Sequence, residues 1–311
     1  MQTASDSLPL LAPPLKRGDT IGLVSPAGPV KDQKAFIAGL RILKDLGFAV
    51  KLGPEVEEGS GDYLAADDKT RAELFNRMWA AEETDAIMAV RGGYGSLRMA
   101  DGIDLELIAR RPKPFIGFSD ITLLHSLFNH RTHLVTFHAP VLTSLALLPE
   151  EDIRHFGALL SGHLQNTIEP GSCETLRAKE VAGRLVGGNL ATLTSLLGTP
   201  YEPDWRQCIV LLEDVGEAPY RIDRMLTQLR LAGKFAGIKG LILGSFTDCG
   251  NEELIWQRVL ALTEDLGIAV WANFPAGHGK RNLTLPMGLK VRLLSNQGAI
   301  LLEQPWLKEQ R

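Results

Sequence analysis

The sequence has little cysteine, no long hydrophobic run and no marked excess of charge, and each shortage excludes a class of protein. Its 311 residues include three cysteines, Cys173, Cys208 and Cys249. They are odd in number, far apart and without a CxxC pair, so the sequence predicts neither a disulfide framework nor a zinc knuckle. No apolar run approaches the roughly 18 residues of a membrane-spanning helix.

The net charge and the N-terminal sequence limit the kinds of partner and the cellular compartment that we expect for this protein. A net charge of −4 and a pI of about 6.0 favour neither a nucleic acid nor an anionic membrane as partner. The first residues lack the basic start and the continuous apolar segment of a secretory signal. Since widely spaced cysteines also suit a reducing compartment, we expect a cytoplasmic protein.

The sequence does contain enough apolar material for a large core. Hydrophobic residues make up 45% and charged residues 23%, a balance typical of a globular protein with one large or two medium domains. In the first half, apolar strands alternate with helices, which predicts a parallel sheet covered on both faces. Sites form at the carboxyl ends of such strands. Three of the strands run into loops rich in small residues, with the sequences SPAGP, RGGYG and GFSD.

Changes in composition divide the chain into four predicted segments. Residues 1–17 are proline-rich and are expected to form an extended arm, and residues 18–150 an α/β domain. The polar segment 151–177 is interpreted as a linker. Residues 178–311 are predicted to form a second, mixed and β-rich domain that ends in a hairpin at the sequence NQG.

The stretch PFIGFSDITLLHSL, residues 114–127, organises the rest of the chain. It is predicted to form a short buried strand, a corner at Ser119 and a helix that begins at Asp120. A serine on such a corner faces solvent in front of free N–H groups and the positive end of a helix dipole, as a nucleophilic hydroxyl requires. The arrangement resembles the nucleophile elbow without its G-x-S-x-G pattern. The alternative is a serine that only caps the helix.

The glycines of the RGGYG segment lie where a strand enters a helix. Paired glycines let backbone N–H groups approach a ligand closely, so Gly92 and Gly93 are candidate oxyanion-hole donors together with the N–H of Asp120. The segment does not fit the G-x-G-x-x-G pattern of a dinucleotide site, and the alternative is a turn that requires glycine. Arg91 and Tyr94 of this segment are candidate substrate-binding residues. The guanidinium of Arg91 can hold a carboxylate in bidentate fashion.

Two further segments carry a carboxylate and a histidine in suitable contexts. Glu213 ends an apolar strand, where a carboxylate is partly desolvated and needs a partner. That partner is a histidine or, alternatively, Arg221 or Arg224. The next residue, Asp214, is expected to be solvated. His278 lies between two glycines in a loop after a strand, a context that suits an exposed imidazole.

Together these residues make a candidate catalytic set. Ser119 would act as the nucleophile, His278 as the general base and Glu213 as the carboxylate that orients the histidine. Their order along the chain is that of the α/β-hydrolases, although here they come from two predicted domains. This chemistry needs neither a metal nor an organic cofactor. A metal site at His130 and His133 is disfavoured, because no carboxylate lies at ligand spacing on a helix.

Five segments, in order, resemble the LD-carboxypeptidase family of serine peptidases. They are RGGYG, GFSDITLLH, GGNLATLTSLLGTP, LEDVGEAPYRIDRML and PAGHGKRNLTLPMG, and the likeness covers nearly all the chain from about Gly18. The resemblance implies a flavodoxin-like N-terminal domain, a smaller β-rich C-terminal domain and a homodimer. It also implies a triad of Ser119, Glu213 and His278 at the domain interface. The implied activity removes the terminal D-Ala from murein tetrapeptides through an acyl-enzyme, in cytoplasmic peptidoglycan recycling.

Two other functions are open at this point. An immunity-type peptidase of the same family would hydrolyse peptide–nucleotide antibiotics and would carry extra aromatic contacts for the base. Between Ser119 and Glu213 the one tryptophan is Trp205, just before a strand, which favours the murein substrate. A non-catalytic α/β protein would instead use its glycine loops to bind an anion.

Overall fold

A computed structural model describes residues 8–54, 56 and 62–308, and in this part of the chain fourteen strands form two sheets. The strands are β1 (Thr20–Val24), β2 (Ala49–Leu52), β3 (Ala86–Ala89), β4 (Phe115–Gly117), β5 (Thr136–His138), β6 (Thr167–Ile168), β7 (Glu174–Arg177), β8 (Val181–Asn189), β9 (Cys208–Val215), β10 (Gly240–Thr247), β11 (Ala269–Ala272), β12 (Leu285–Met287), β13 (Lys290–Leu294) and β14 (Ala299–Leu302). The helices are α1 (Gln33–Asp45), α2 (Asp68–Ala80), α3 (Ser96–Met99), α4 (Leu105–Arg110), α5 (Thr122–Arg131), α6 (Leu142–Leu145), α7 (Glu150–Leu160), α8 (Leu190–Ser195), α9 (Pro219–Leu231) and α10 (Glu252–Leu262). None of the helices in these ranges is long and apolar enough to cross a membrane.

The first sheet has the strand order β12-β5-β4-β3-β1-β2. Strands β1 to β5 are parallel, and their order 2-1-3-4-5 is that of a flavodoxin-like fold. All four residues of β3 are buried, as expected for a strand covered on both faces. The predicted parallel N-terminal sheet is confirmed, and the carboxyl ends of β1, β3 and β4 run into the three glycine-containing loops.

The second sheet has the order β6-β14-β13-β8-β9-β10-β11-β7. Its central strands β8 to β11 are parallel, and antiparallel strands flank them on both sides. The predicted mixed character of the C-terminal region is therefore confirmed. The C-terminal hairpin of β13 and β14 forms as predicted, around the sequence NQG.

A short strand that the sequence did not predict, β12, connects the two halves of the molecule. The chain leaves β11 of the second sheet, passes through the loop that contains His278, and adds β12 to the edge of the first sheet. There β12 runs antiparallel to β5, with Leu285 opposite His138. The sequence did not predict β12, because a segment of three residues that includes a proline gives no local strand signal. Its pairing partner, β5, is also distant in sequence.

The segments interpreted as linker and arm contribute to the sheets and the core. Residues 151–177 contain most of α7 and the strands β6 and β7, which pair with β14 and β11. This segment therefore forms regular structure, and its polar composition reflects half-exposed edge strands. Its role as a linker stays a prediction. In the arm, Leu10 bridges to Leu134 and Leu15 is buried, while residues 1–7 lie outside the described part. The domain boundaries themselves stay a prediction.

One hydrophobic cluster extends across both sheets, and a second cluster, which includes Val210 and Leu212 of β9, packs on the second sheet. Phe115 of β4 stacks edge-on against Phe75 and Phe128 of the covering helices. The same continuous cluster of buried side chains includes Leu211 of β9 and Trp271 of β11. Because the two sheets share this core, residues at the end of β4 are held in a fixed position relative to residues at the end of β9.

Candidate active site

Ser119 follows β4 in a backbone conformation that few non-glycine residues adopt. Its φ of 67° lies in the left-handed region, where a residue with a Cβ is strained. It begins a short 3₁₀ turn, Ser119–Ile121, that leads into α5. Neither the turn nor α5 begins with a side-chain capping hydrogen bond. The capping alternative therefore does not describe this serine.

The hydroxyl of Ser119 instead contacts the loop that follows β11. Its Oγ lies 3.2 Å from Nε2 of His278, and Nδ1 of the same ring lies 2.7 Å from Oε2 of Glu213. That carboxylate oxygen also accepts a hydrogen bond from the backbone N–H of His278 at 3.2 Å. Glu213 thus pairs with the histidine, whereas Arg221 pairs with Glu217. The structure brings the serine, the histidine and the glutamate into one hydrogen-bonded chain.

The electrostatic environment favours a basic imidazole. The side chain of Glu213 is 0% exposed and that of His278 is 19% exposed. Burial disfavours the charged imidazolium, but the charge of Glu213 and its hydrogen bond outweigh this effect, so the pKa of His278 lies above its ordinary value. A carboxylate on Nδ1 also selects the tautomer in which Nε2 is free to accept a proton from the serine.

Glycines make room for the buried carboxylate. A Cβ at Gly277, whose φ is 108°, would lie 2.4 Å from Oε2 of Glu213. A Cβ at Gly244 would lie 3.0 Å from the Cβ of the same glutamate. Phe118, the residue before the serine, packs on the ring of His278 with 4.7 Å between the ring centroids. The imidazole is therefore held between an aromatic ring and a carboxylate, in a space that larger side chains would fill.

The RGGYG loop lies directly against the serine. A Cβ at Gly92 would lie 2.9 Å from the Oγ of Ser119, so only glycine leaves this approach open. The carbonyl of Gly92 accepts a hydrogen bond of 3.1 Å from the N–H of Gly28 in the SPAGP loop. Gly93 has a φ of 111°, again a conformation that favours glycine. Two of the three predicted loops are thereby joined beside Ser119.

Asp120 and Arg71 fix the RGGYG loop from two sides. The carboxylate of Asp120 accepts a hydrogen bond from the N–H of Ser96 at 2.8 Å, and the Ser96 hydroxyl donates to the Asp120 carbonyl at 2.7 Å. Burial raises the pKa of Asp120, and the hydrogen bonds with Ser96 oppose that rise. The buried guanidinium of Arg71 donates to the carbonyls of Pro26 and Gly95. The use of the N–H groups of this loop as an oxyanion hole stays a prediction.

Comparison with known proteins places the chain in a family. The family model of the LD-carboxypeptidase N-terminal domain matches residues 21–139, and that of the LD-carboxypeptidase C-terminal domain matches residues 182–293. The chain belongs to the LD-carboxypeptidase family. The resemblance seen in the five sequence segments is therefore confirmed, and the chain is a peptidase.

Relatives of this peptidase match along nearly its whole length. A probable murein peptide carboxypeptidase of Bacillus subtilis is 36% identical over 93% of each chain. The murein tetrapeptide carboxypeptidase of Pseudomonas aeruginosa is 33% identical over 89% of this chain and 94% of its own. The microcin C7 self-immunity protein MccF of Escherichia coli is 29% identical over 96% and 97%. A structure of MccF in complex with glutamyl sulfamoyl guanosine matches with a TM-score of 0.89 at 26% identity, over 96% of this chain and 100% of that one.

In this peptidase the two predicted substrate-binding residues lie on the glycine loop. Nη1 of Arg91 lies 3.0 Å from the position that a Cβ of Gly93 would take. No carboxylate among the described residues forms an ion pair with Arg91. Tyr94 is 54% exposed, and its ring lies 6.1 Å from that of Tyr63. Their contact with substrate stays a prediction.

The peptidase also has a buried polar network that the sequence reasoning missed. Asp214 is 3% exposed rather than solvated, because β9 continues through it into the interior. Burial raises the pKa of Asp214 to about 6, and the charge of the neighbouring Glu213 adds to the rise. Asn189 donates to Asp214 at 3.0 Å through its side chain and to the hydroxyl of Thr122 at 3.0 Å through its backbone. This network connects helix α5, which follows Ser119, to the strand that carries Glu213.

Two other histidines near the serine are buried and neutral. Nε2 of His125 lies 2.8 Å from the carbonyl oxygen of Gly117, and burial lowers the pKa of His125 to about 4. Burial also lowers the pKa of His138 to about 3. Within residues 8–54, 56 and 62–308 no group of three or more His, Cys, Asp or Glu side chains is arranged to hold a metal ion.

A cavity of about 1020 Å³ opens beside His278. Phe246 and Trp256 lie on its apolar side, and Asn273 and Lys280 supply polar groups. Binding pockets for small molecules usually measure about 300–1,000 Å³. The cavity adjoins the imidazole, but neither Ser119 nor the RGGYG loop lines it.

Proposed function

We propose that this chain is a serine carboxypeptidase in which Ser119 is the nucleophile, His278 the general base and Glu213 the residue that orients the histidine. The observation that carries the proposal is the hydrogen-bonded chain from the serine hydroxyl through both ring nitrogens to a buried carboxylate. A non-catalytic anion-binding protein needs no such chain. It also needs no strained serine at the end of a strand.

The proposed reaction has two halves. In the first, the Ser119 Oγ attacks the carbonyl carbon of the last peptide bond while Nε2 of His278 takes its proton. The resulting oxyanion accepts hydrogen bonds from backbone N–H groups of the glycine loop and the turn, for which Gly92, Gly93 and Asp120 are the candidates. The imidazolium then protonates the leaving amine, and an acyl-enzyme remains. In the second half, His278 activates a water that releases the acyl group, and neither half uses a metal or an organic cofactor.

The proposed substrate is a murein tetrapeptide, cleaved before its terminal D-Ala. Relatives named as murein peptide and murein tetrapeptide carboxypeptidases support this assignment. A carboxypeptidase must bind a free terminal carboxylate, and our candidate for this role is the guanidinium of Arg91 beside the glycine loop, with Tyr94 next to it. Arg91 pairs with no carboxylate in the described part of the chain. The cavity beside His278 offers space for the rest of the peptide.

An immunity-type activity on peptide–nucleotide antibiotics is the second candidate, since MccF matches both the sequence and the fold. A base would need an exposed aromatic surface on which to stack. Trp205, the one tryptophan between Ser119 and Glu213, is 2% exposed, and the ammonium of Lys234 covers its ring at 5.3 Å. A murein tetrapeptide and an aminoacyl sulfamoyl nucleoside, assayed side by side, separate the two functions.

The test of the proposal is Ser119→Ala, with D-Ala release from a purified tetrapeptide followed by mass spectrometry. Activity should fall by at least about a thousandfold, because the nucleophile is removed. The melting temperature should be unchanged or higher, since alanine loses one hydroxyl and no packing. Ser195→Ala, an exposed serine in α8, is the control and should leave activity unchanged. Full activity in the Ser119 variant would refute the triad.

The remaining features of the proposal concern the molecule as a whole. We propose that the peptidase acts in the cytoplasm, in peptidoglycan recycling, and that it forms a homodimer. We also propose that residues 18–150 and 178–311 are its two domains. Sedimentation velocity of the purified protein tests the oligomeric state directly.

A further inference from the structure

Asp152 is a buried acid that the proposed mechanism does not use. It lies in α7, in the segment first interpreted as a linker, and is 0% exposed. Its Oδ1 accepts hydrogen bonds from Nη2 and Nε of Arg281 at 2.6 and 3.1 Å. Its Oδ2 accepts one from the backbone N–H of Asn282 at 3.2 Å. A carboxylate is buried at little cost only when it is paired and hydrogen-bonded in this way.

The partners of Asp152 belong to the loop that carries the histidine. Asn282, whose backbone is held by Asp152, accepts a hydrogen bond through its Oδ1 from the N–H of Gly277 at 2.9 Å. Gly277 precedes His278 and lies against Oε2 of Glu213. The path from Asp152 to the imidazole is therefore a continuous series of short contacts. The side chain of Asn282 closes the loop on itself, and Asp152 attaches the closed loop to α7.

A second contact from the same helix holds the far end of this loop. Nε2 of His155, which lies three residues after Asp152 on α7, is 2.9 Å from the carbonyl oxygen of Thr284. Thr284 is the last residue before β12, where the chain joins the first sheet. The segment from Gly277 to Thr284 thus crosses between the two sheets with one side fixed to α7.

We propose that Asp152 is a positioning residue that holds the His278 loop so that the imidazole meets Ser119 and Glu213 at the same time. The inference rests on the proposed serine chemistry. The nucleophile belongs to one sheet and the carboxylate to the other, so the loop must fix the ring relative to both. A displacement of about 1 Å at a reacting group costs about a hundredfold in rate.

The primary test is Asp152→Asn, which keeps the volume of the side chain and removes its charge. We expect kcat for D-Ala release to fall about 10- to 100-fold with KM within about twofold, because the ring and not the substrate is displaced. Acylation of Ser119 by a fluorophosphonate reagent should slow by the same factor. The low-field proton signal of the hydrogen bond between Nδ1 and Glu213 should broaden or disappear, a change that loss of stability alone does not produce in a folded protein.

Glu151→Gln is the matched control. Glu151 adjoins Asp152 and also contacts Nη2 of Arg281, at 3.0 Å, but its side chain is 58% exposed. Its removal should leave kcat, the acylation rate and the proton signal unchanged. If the Asp152 variant is folded and acylates as fast as the wild type, the inference is overturned.

A second variant covers the case in which Asp152→Asn does not fold. In Asp152→Leu/Arg281→Met both charges are replaced by apolar groups, a change that folded proteins often tolerate. A folded but slow double variant supports the positioning role, and a folded and fast one refutes it. If neither variant folds, the pair is a stability element and the positioning role is refuted.

The wild-type protein separates this inference from the proposed function. A wild type that reacts with the fluorophosphonate but releases no D-Ala overturns the proposed substrate alone, and the comparison of acylation rates still decides the role of Asp152. A wild-type Ser119 that is inert to the reagent overturns the triad and the positioning role together.

Discussion

At the scale of single residues, the pH dependence of the peptidase follows from the pair of His278 and Glu213. The proposed base must be neutral, and its carboxylate partner raises the pKa of His278 above the ordinary value of 6.5. In the wild type, kcat/KM should therefore fall as the pH drops through that raised pKa. An imidazolium that is stabilised by a neighbouring carboxylate keeps its proton to a higher pH.

The variant Glu213→Gln tests this reasoning. Without the carboxylate of Glu213 the pKa of His278 should fall, because burial lowers it and only the smaller effect of the Asp214 charge still raises it. The acidic limb of the kcat/KM profile should therefore move to lower pH. The plateau should drop by roughly a thousandfold or more, because the imidazole loses its orientation. Glu217→Gln, four residues further along, is the control. An acidic limb that stays in place or moves to higher pH contradicts the assignment.

A second residue-scale prediction concerns Gly277→Ala. The added Cβ would meet Oε2 of Glu213 at 2.4 Å in a backbone conformation that already disfavours alanine. We expect a loss of about 1–3 kcal/mol in the free energy of unfolding and a fall of at least about a hundredfold in kcat. Gly18→Ala is the control with a similar backbone, because Gly18 has a φ of 92° and open space around it. It should lose similar stability, measured by denaturant titration, and keep full kcat.

At the scale of elements, β12 is the feature on which the histidine loop depends. Leu285 of β12 is fully buried and lies opposite His138 of β5. Leu285→Ala should lower the free energy of unfolding by about 2–5 kcal/mol through the cavity that it leaves. It should also lower kcat under conditions in which the protein is folded, because the end of the histidine loop loses its anchor.

Leu302→Ala separates these two effects. Leu302 of β14 is 2% exposed and lies in the same core, but on a strand that does not adjoin the loop. This variant should lose comparable stability and keep its kcat. Equal loss of kcat in both variants would mean that β12 has no particular role in the site.

The elements also show what the sequence could and could not predict. Strands such as β3 and β9 were predictable, because a run of apolar residues ending at a glycine or a carboxylate is a local signal. Ser119 and Glu213 were predictable because each follows a run of apolar residues, and His278 because it lies between two glycines in a loop. The strand β12, the burial of Asp214 and the role of α7 were not. Each depends on a partner far away in sequence, and local periodicity carries no information about such partners.

At the scale of the whole molecule, the shared core implies that the two sheets unfold together. The cluster that contains Phe115 of the first sheet also contains Trp271 of the second, and β12 carries the C-terminal chain into the first sheet. Chains with two independent domains often unfold in separate transitions. Here neither sheet can lose its structure without exposing side chains that the other buries.

Fluorotryptophan labelling and ¹⁹F NMR test this expectation during denaturant titration. Trp79 of α2 packs beside Phe115 on the first sheet, and Trp271 lies in β11 of the second; their signals are assigned from Trp79→Phe and Trp271→Phe. Both native signals and the peptidase activity should disappear at one denaturant concentration, and Leu285→Ala should move all three midpoints by the same amount. Separate midpoints, or a shift confined to Trp271, would show that the sheets are coupled only at the active site.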